Sequence, residues 1–490
     1  LFFSLELMQT PFEILQAWLQ DESLAPYHHY LEITQLSAPY ALSEPEEYVI
    51  NKLSLTSSNG WSRYFGEVMS NARYHLNDQQ LNQSEILQYL YSPDRELRRQ
   101  AADAFTEGLE AMTHTTTYIF NMMLLNKEAQ DELRHLPSWI RSRNISNQVD
   151  DETVNILINS VTSRYDIVAR YYRLFKAISG YEELFDYDRY APITQSEQKI
   201  HWDEAVSMVL SAFERFSPKM SEVAQQFFEK KWIDARVAPH KRGGAFSHSV
   251  VASAHPYILM NYVGDLRSVQ TLAHELGHGI HQYLSRQVGT LQQSTPLTTA
   301  EMASTFAEML VFDALIETIT DPQERLALRL DKITDTFATV FRQISMNRFE
   351  DAIHTTVRQQ GELSTEQFCE LWMQTQIPMF GDSLTLRDEY RLWWSYIPHF
   401  ISTPGYVYAY AFGELLVWAL YAKYQEVGSD FAKHYIEALS KGGSVWPHEL
   451  VAPLGIDLND ENFWLQGLQL VEDMIALAES EAAALGKITA

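Results

Sequence analysis

"LAHELGHGIHQY", Leu272 to Tyr283, is the stretch on which the reading of this chain turns. It reads as a helix, yet it carries Gly277 and Gly279, each costing about 1 kcal/mol against alanine in a helix interior. It also sets His274 and His278 one turn apart. His274-Glu275-Leu276-Gly277-His278 fits the pattern H-E-x-x-H. On a helix, residues four apart share a face, so both imidazoles reach one ion while Glu275 projects beside it towards a bound water. Neutral imidazoles with a carboxylate as third ligand suit tetrahedral zinc, and a catalytic zinc keeps an open position for water whose pKa it lowers. Two unrelated histidines with a stray glutamate are the bland alternative, outweighed by the motif together with its helical context. One Zn2+ per chain is the expected cofactor, with cobalt or manganese as replacements set by availability. The two glycines then have a use, letting another helix or backbone come close to the metal helix. His281 is read as a core or supporting histidine, because four protein ligands would close the site.

A third ligand must come from elsewhere, and "STPLTTAEMASTFAEML", Ser294 to Leu310, can supply it. It opens as a proline-marked loop and turns helical near Thr298. Glu301 and Glu308 lie seven apart and face the same way. Thr298-x-x-Glu301 is equally a capping box, in which the carboxylate would bond a backbone amide. The need of two histidines for a nearby carboxylate makes Glu301 the expected third ligand. Glu308 is then a candidate acceptor for a ligand imidazole, fixing its tautomer, against the alternative of an exposed helix glutamate.

The bulk numbers bound the function. The chain has 490 residues, 46% of them apolar, enough for a large core and two or more lobes. Its 37 basic and 64 acidic residues leave a formal charge of −27, which argues against a nucleic-acid or anionic-membrane partner. No apolar run approaches the about 18 residues of a membrane span. The single cysteine, Cys369, excludes an intrachain disulfide and fits a reducing, cytoplasmic compartment. The opening lacks a basic region and a small-residue cleavage site, so a secretory signal is not expected. Met8 is a candidate natural start, with Leu1–Leu7 as a non-native remnant.

Helical periodicity dominates. One helix, a break at Ser92-Pro93-Asp94 and a long helix after it are expected, then a single long amphipathic helix from Asp150 to Ser179. The exception is Trp232 to Asp265, rich in Gly, Ser, Val and Tyr. Strands are expected over Gly244–Val251 and Tyr257–Val263, joined by a tight connection near Ala254-His255-Pro256. Lys241-Arg242-Gly243-Gly244 reads as a flexible loop whose backbone can approach a ligand. A second polar cluster lies in "IPHFISTPGYVYAYAFG", Ile397 to Gly413. Thr403 is the expected helix N-cap with Pro404 at the first helical position. Tyr406, Tyr410 and Gly413 share a face, with Tyr408 on another. Tyrosines so spaced are commonly core, but His399 precedes them, and His399 with Tyr406 or Tyr410 would stabilise a tetrahedral oxyanion.

Taken together, "PYILMNYVGDLRSVQTLAHELGH", "AEMASTFAE", "IPHFISTPGYVYAYAFG" and the earlier "SPDRELRRQAADAF" resemble the oligoendopeptidase F branch of the thimet oligopeptidase family of zinc peptidases. The resemblance implies a mainly α, two-lobed body with a small β-sheet beside the active site and a deep substrate channel. Residues 8–190 would form the N-terminal helical region and 191–490 the catalytic region. By that likeness His274, His278 and Glu301 are zinc ligands and Glu275 the general base. The strand Tyr257–Val263 would pair with the substrate backbone. Gly243, Gly244, Tyr257 and Asn261 are assigned to substrate contact, and His399 with a following tyrosine to the transition state. The spacing from His399 to the tyrosines does not say which tyrosine acts. The expected function is a zinc endopeptidase that cuts internal bonds of short unstructured oligopeptides. Zinc-bound water would be its nucleophile and Glu275 its general base. Its partners are oligopeptides, with no nucleic acid and no membrane. A metallocarboxypeptidase is the alternative enzyme, needing a cation for the terminal carboxylate, for which Arg242, Arg267 and Arg391 are available. A non-catalytic peptide-binding protein of the same fold is the other rival, although a pure binder has no need of Glu275. A purely structural zinc site lacks a fourth cysteine or histidine at usual spacing.

Overall fold

Helical periodicity is realised through most of the chain. The computed structural model describes residues 2–192 and 199–488. Leu1 of the expected remnant, residues 193–198 near the start of the expected catalytic region and residues 489–490 at its end lie outside that description. Five helices occupy residues 2–71, and the first, Phe2–Met8, buries Leu5 and packs on the helix His28–Ser37. They lead into a hairpin of β1 (Tyr74–Leu76) and β2 (Gln79–Leu81), antiparallel with Tyr74 opposite Leu81. The sequence reading did not anticipate it. Three-residue strands are too short for alternation to register, and the local signal is the turn, where Asn77 takes φ 54°.

The break at Ser92-Pro93-Asp94 falls where expected. Asp94 accepts from the amides of Glu96 and Leu97, opening α1 (Arg95–Leu133). Its buried face includes Ala101, Phe105, Leu109, Phe120 and Leu124. The single helix expected over Asp150–Ser179 is instead two, α2 (Asp151–Ser163), capped by Asp150, and α3 (Tyr165–Ser179). The hydroxyls of Thr162 and Ser163 bond the carbonyls of Ile158 and Ser160, which competes with the helical ladder. Arg164 between them leaves helical geometry (φ −116°, ψ 29°) and reaches Glu472 at 2.6 Å.

The sheet has three strands, β3 (Ile233–Asp234), β4 (Phe246–His248) and β5 (Tyr257–Leu259), in the order β3-β5-β4. β3 runs parallel to β5 and β4 antiparallel to it. Both expected strands exist but are shorter than Gly244–Val251 and Tyr257–Val263. Val250 takes φ 62°, which a branched side chain resists, and this turns the chain out of β4. The connection to β5 spans residues 249–256, where the Ala254 amide bonds the Val251 carbonyl and the His255 ring stacks on Trp232 at 4.0 Å. The Lys241–Gly244 loop, read as flexible, is pinned. The Lys241 ammonium lies among the Asp234 carboxylate and the carbonyls of Asp234, Arg236 and Met260. The Asn261 amide donates to the carbonyls of Arg242 and Gly244.

Beyond the sheet come α4 (Leu266–Leu284), α5 (Met302–Thr318), α6 (Pro322–Thr339), α7 (Phe341–Gln360), α8 (Tyr408–Val427) and α9 (Glu461–Ala484). One cluster of buried apolar side chains gathers α2 to α6 with α8 and α9. Another gathers α1, the hairpin and side chains between Met346 and Val407. α7 serves both, giving Phe341 and Ile344 to the first and Phe349 and Ile353 to the second. The product is a mainly helical, two-lobed body with the small sheet packed against α4. Among the described residues no helix is long and apolar enough to cross a membrane.

Candidate active site

α4 presents His274, Glu275 and His278, and α5 packs along it. The approach is close because Gly277 has no side chain. A Cβ there would lie 2.4 Å from the Ala303 carbonyl oxygen and 2.6 Å from the Ser304 Cα. At Gly279 it would lie 2.7 Å from the Phe227 ring. Both glycines are therefore close-packing positions, as the sequence suggested. Through Gly277 the start of α5 is drawn in, and Glu301 with it.

Glu301 sits between the short helix Leu297–Ala300 and α5. Its Oε2 is 3.5 Å from His274 Nε2 and 3.3 Å from His278 Nε2. The two imidazoles stand nearly perpendicular, with centroids 4.8 Å apart. Nitrogen and oxygen ligands of a tetrahedral zinc, each at about 2.0–2.1 Å, are separated by about 3.3 Å. The donor set matches that spacing. The capping box Thr298–Glu301 is not formed: the Thr298 hydroxyl bonds the Asn147 carbonyl, and Glu301 accepts from the Ser304 hydroxyl at 2.8 Å. Glu308, one side of the expected alternative, accepts from His274 Nδ1 at 2.5 Å, which leaves Nε2 facing the shared space.

Charges around this group are concentrated. Burial opposes a charge on His274, but Glu308, Glu301 and Glu275 outweigh it and raise its pKa to about 9. Burial would raise Glu301, yet His278 and His274 bring it down to about 2. Burial raises Glu275, whose Oε2 is enclosed without a hydrogen-bond partner among the described residues. An acidic field around two imidazoles, with a carboxylate oxygen left unsatisfied, is the environment of a cation and a polar ligand. His281 stands outside the group, buried and pushed down to about 4 by its burial, which keeps it a neutral core histidine.

Two supporting residues escaped the sequence reading. Ser304 orients Glu301, and Lys332 on α6 places its ammonium 3.6 Å from Glu308 and 4.0 Å from Glu414. The available signal was a lysine among Leu328, Ile333 and Thr336, all buried on the inner face of α6.

The second cluster differs from expectation in its backbone. His399 opens the short helix His399–Ser402 and Thr403 ends it, so Thr403 is not the N-cap of the tyrosine helix. α8 begins at Tyr408, because Gly405 takes φ 73° and donates its amide to Glu350 at 2.8 Å. The detour brings the Tyr410 hydroxyl to 3.3 Å from His399 Nε2 and the Tyr406 ring to 4.9 Å from that of Tyr410. Tyr408, on the other face, is buried with its hydroxyl between Asn144 and Asn147. Burial raises the Tyr410 phenol, with the Glu301 charge adding to it, and lowers His399. Gly413 faces the Glu301 side chain, so α8 joins the two clusters.

Cavities lie on both sides of α4. One of about 360 Å³ is lined by Phe246, Ser247, His274, Glu275 and His278, and a second of about 430 Å³ by Gln270, Glu308 and Lys332. The strand expected to receive a peptide, Tyr257–Val263, is not available, because β5 is covered by β3 on one side and β4 on the other. The Tyr257 backbone pairs with His248, its ring half exposed. Among the described residues the free edge beside the histidines belongs to β4. Of the three arginines considered for a terminal carboxylate, Arg391 is paired with Glu366 and Asp388 and Arg242 lies over the Phe246 ring, while Arg267 lines the larger cavity.

Residues 88–470 match the profile of peptidase family M3, and residues 6–74 that of oligopeptidase F. Oligopeptidase PepF of Bacillus subtilis is 28% identical over 465 residues, covering 91% of this chain and 68% of that protein. Group B oligopeptidase PepB of Streptococcus agalactiae is 26% identical over 498 residues, covering 98% and 81%. A crystal structure described as a peptidase from Chlamydophila abortus has a TM-score of 0.90 at 24% identity, covering 98% of this chain and 82% of that one. Oligoendopeptidase-F from Enterococcus faecium has a TM-score of 0.78 at 20% identity, covering 98% and 83%. The two structures speak for the fold, while the profile spans most of the chain and speaks for the family. This chain is a member of peptidase family M3, in its oligoendopeptidase F branch, and so an oligopeptidase of a metallopeptidase family.

Proposed function

We propose that the chain is a zinc endopeptidase hydrolysing internal bonds of short, unstructured oligopeptides. The observation that carries this reading is the convergence of His274 Nε2, His278 Nε2 and Glu301 Oε2 beside the unpartnered Glu275 Oε2. Those three atoms would hold the ion. When bound, zinc supplies polarisation of a carbonyl and acidification of water. Glu308 accepts from His274 Nδ1, so with the other proton displaced on metal binding Nε2 would be the nitrogen that donates its lone pair. Glu275 takes the proton of the attacking water and passes it to the leaving amine, a role suited to a carboxylate whose burial strengthens its basicity. With His399 Nε2 donating to the Tyr410 oxygen, the Tyr410 hydroxyl is free to donate to the oxygen that becomes negative on the substrate, with Tyr406 alongside.

The edge of β4 offers backbone donors and acceptors to an extended peptide lying past His274 and His278. Gly243 and Gly244 supply the adjoining backbone, held in place by Asn261 rather than left flexible. Cavities of this size admit an extended segment and not a folded domain. A reducing, cytoplasmic setting is proposed from the one cysteine, a buried free thiol.

Mass spectrometry of products from a ladder of unstructured peptides, with and without chelator, tests the reading. Internal fragments that vanish with chelator are expected. Ladders shortened one C-terminal residue at a time would move the assignment to a carboxypeptidase. The Glu275→Gln variant should retain zinc and lose about a hundredfold in turnover. An active, zinc-loaded variant would remove Glu275 from the reaction.

A further inference from the structure

The larger cavity beside α4 runs from Gln270 and Glu308 to a wall that the chemistry above leaves unused. Arg189 and Arg342 line that wall. Arg189 is buried; its Nε donates to the Asp186 carbonyl at 2.9 Å, and its two terminal nitrogens reach the phenols of Tyr390 and Tyr190, each at 3.3 Å. Arg342, at the start of α7, lies beside the Tyr190 phenol, and its buried Nε has no hydrogen-bond partner among the described residues. Among the described residues neither guanidinium forms an ion pair with a carboxylate. The Asp186 carboxylate is engaged by Arg387 through both oxygens, at 2.7 and 3.0 Å. Five acids also line this cavity: Asp331 and Asp335 face Arg267 and Lys332, Glu308 is held by His274 and Lys332, Asp265 accepts from Ser268, and Glu324 lies in the first turn of α6; among the described residues none of them is bonded to Arg189 or Arg342. Two cations in one cavity wall, held by phenols and a backbone carbonyl with no carboxylate bonded to either among the described residues, are costly unless an anion comes to them.

We propose that Arg189 and Arg342 form a carboxylate subsite that takes a carboxylate of the peptide substrate, either its C-terminal one or an acidic side chain. The assignment rests on the reading of the chain as a peptidase acting on oligopeptides. A planar guanidinium meets a carboxylate with two parallel donors, and the Nε of Arg342 has no partner among the described residues. The subsite shares its cavity with Glu308, the residue that holds His274 Nδ1, so it lies on the side of α4 behind that imidazole, one residue removed from the metal-site donors.

The test uses two matched pairs of peptides around one cleavable core: a free C-terminal acid against its amide, and a glutamate-containing amide against the glutamine version. KM and kcat are measured for wild type, Arg342→Met and Arg342→Lys, and affinities for the same fluorescein-labelled peptides by anisotropy. Wild type should favour the carboxylate member of at least one pair by about tenfold or more, the scale of a charge-assisted hydrogen bond. The pair that responds identifies the source of the carboxylate. Arg342→Met should erase the preference through KM, with kcat moving less than about threefold, and Arg342→Lys should restore part of it. No preference in wild type for either pair overturns the proposal, as does a preference that survives in Arg342→Met. If Arg342→Met does not fold, Arg342→Lys carries the test, since it keeps the charge and loses the fork, and an undiminished preference overturns the subsite. Anisotropy needs no turnover. A wild type that discriminates in binding but cleaves nothing sinks the endopeptidase reading and leaves the subsite standing.

Discussion

Replacing Gly277 with alanine separates helix propensity from helix contact. In an isolated helix the change stabilises by about 1 kcal/mol. Here the new methyl would stand 2.4 Å from the Ala303 carbonyl oxygen, 2.6 Å from the Ser304 Cα and 2.8 Å from the Ala303 carbonyl carbon. All three are backbone atoms, so no side-chain rotation relieves the clash. Ordinary contact begins at 3.4 Å, and α4 and α5 must therefore part locally by about 1 Å. Overpacking of this kind costs about 1–3 kcal/mol, which leaves a net loss of about 1 kcal/mol after the propensity gain. The displacement falls on Glu301, two residues before Ala303, whose carboxylate is held 3.3 and 3.5 Å from the imidazole nitrogens. A shift of that size exceeds the about 0.5 Å tolerance of a ligand set, and zinc affinity should fall about tenfold or more. Urea unfolding of the metal-free protein reads the first effect and competition with a chromophoric chelator the second. Gly66→Ala is the control: on the helix Ser58–Asn71 its methyl meets nothing within 4 Å, and it should stabilise by about 0.5–1 kcal/mol. If Gly277→Ala matches that control and binds zinc like wild type, close approach of the two helices does not set the site.

The remaining predictions concern single groups. Glu308→Gln should weaken zinc binding about 10- to 100-fold, read in the same chelator competition, because it loosens the partner of His274 Nδ1. Tyr410→Phe should lower kcat by about tenfold or more with little change in KM, and Tyr406→Phe should do less, since it is Tyr410 that bonds His399; the reverse order in steady-state kinetics would exchange their roles. Burial pushes the Glu350 carboxyl from 4.5 up to about 8, partly offset by the Gly405 amide. The folded protein then holds this proton more tightly than the unfolded chain. Its contribution to stability is complete below pH 4.5, declines as the pH rises and is lost above about 8. Glu350→Gln keeps an acceptor for Gly405 and should flatten that part of the dependence of the unfolding midpoint on pH, whereas an unchanged slope would place the titration elsewhere.

Sequence alone determined what depends on local spacing. The imidazoles of His274 and His278 share a face because four residues make about one turn, and the Asp94 cap after Pro93 starts α1 for reasons within a few residues. The helical character of the chain follows from the same periodicity. What depends on partners across space was decided only by the fold. Whether Glu301 caps a helix or faces the histidines turned on Gly277, which draws α5 in, and on Asn147, which takes the Thr298 hydroxyl. The free sheet edge was settled by β3, two residues long and without a pattern of its own, which covers β5 and leaves β4 open. Tyr410 was singled out by the left-handed turn at Gly405, itself held by Glu350 from a helix more than fifty residues earlier. Lys332, Arg189 and Arg342 carry no motif, and their meaning comes from the groups that burial places, or fails to place, beside them. A local pattern constrains one helix face, whereas desolvation and ion pairing are properties of the packed molecule.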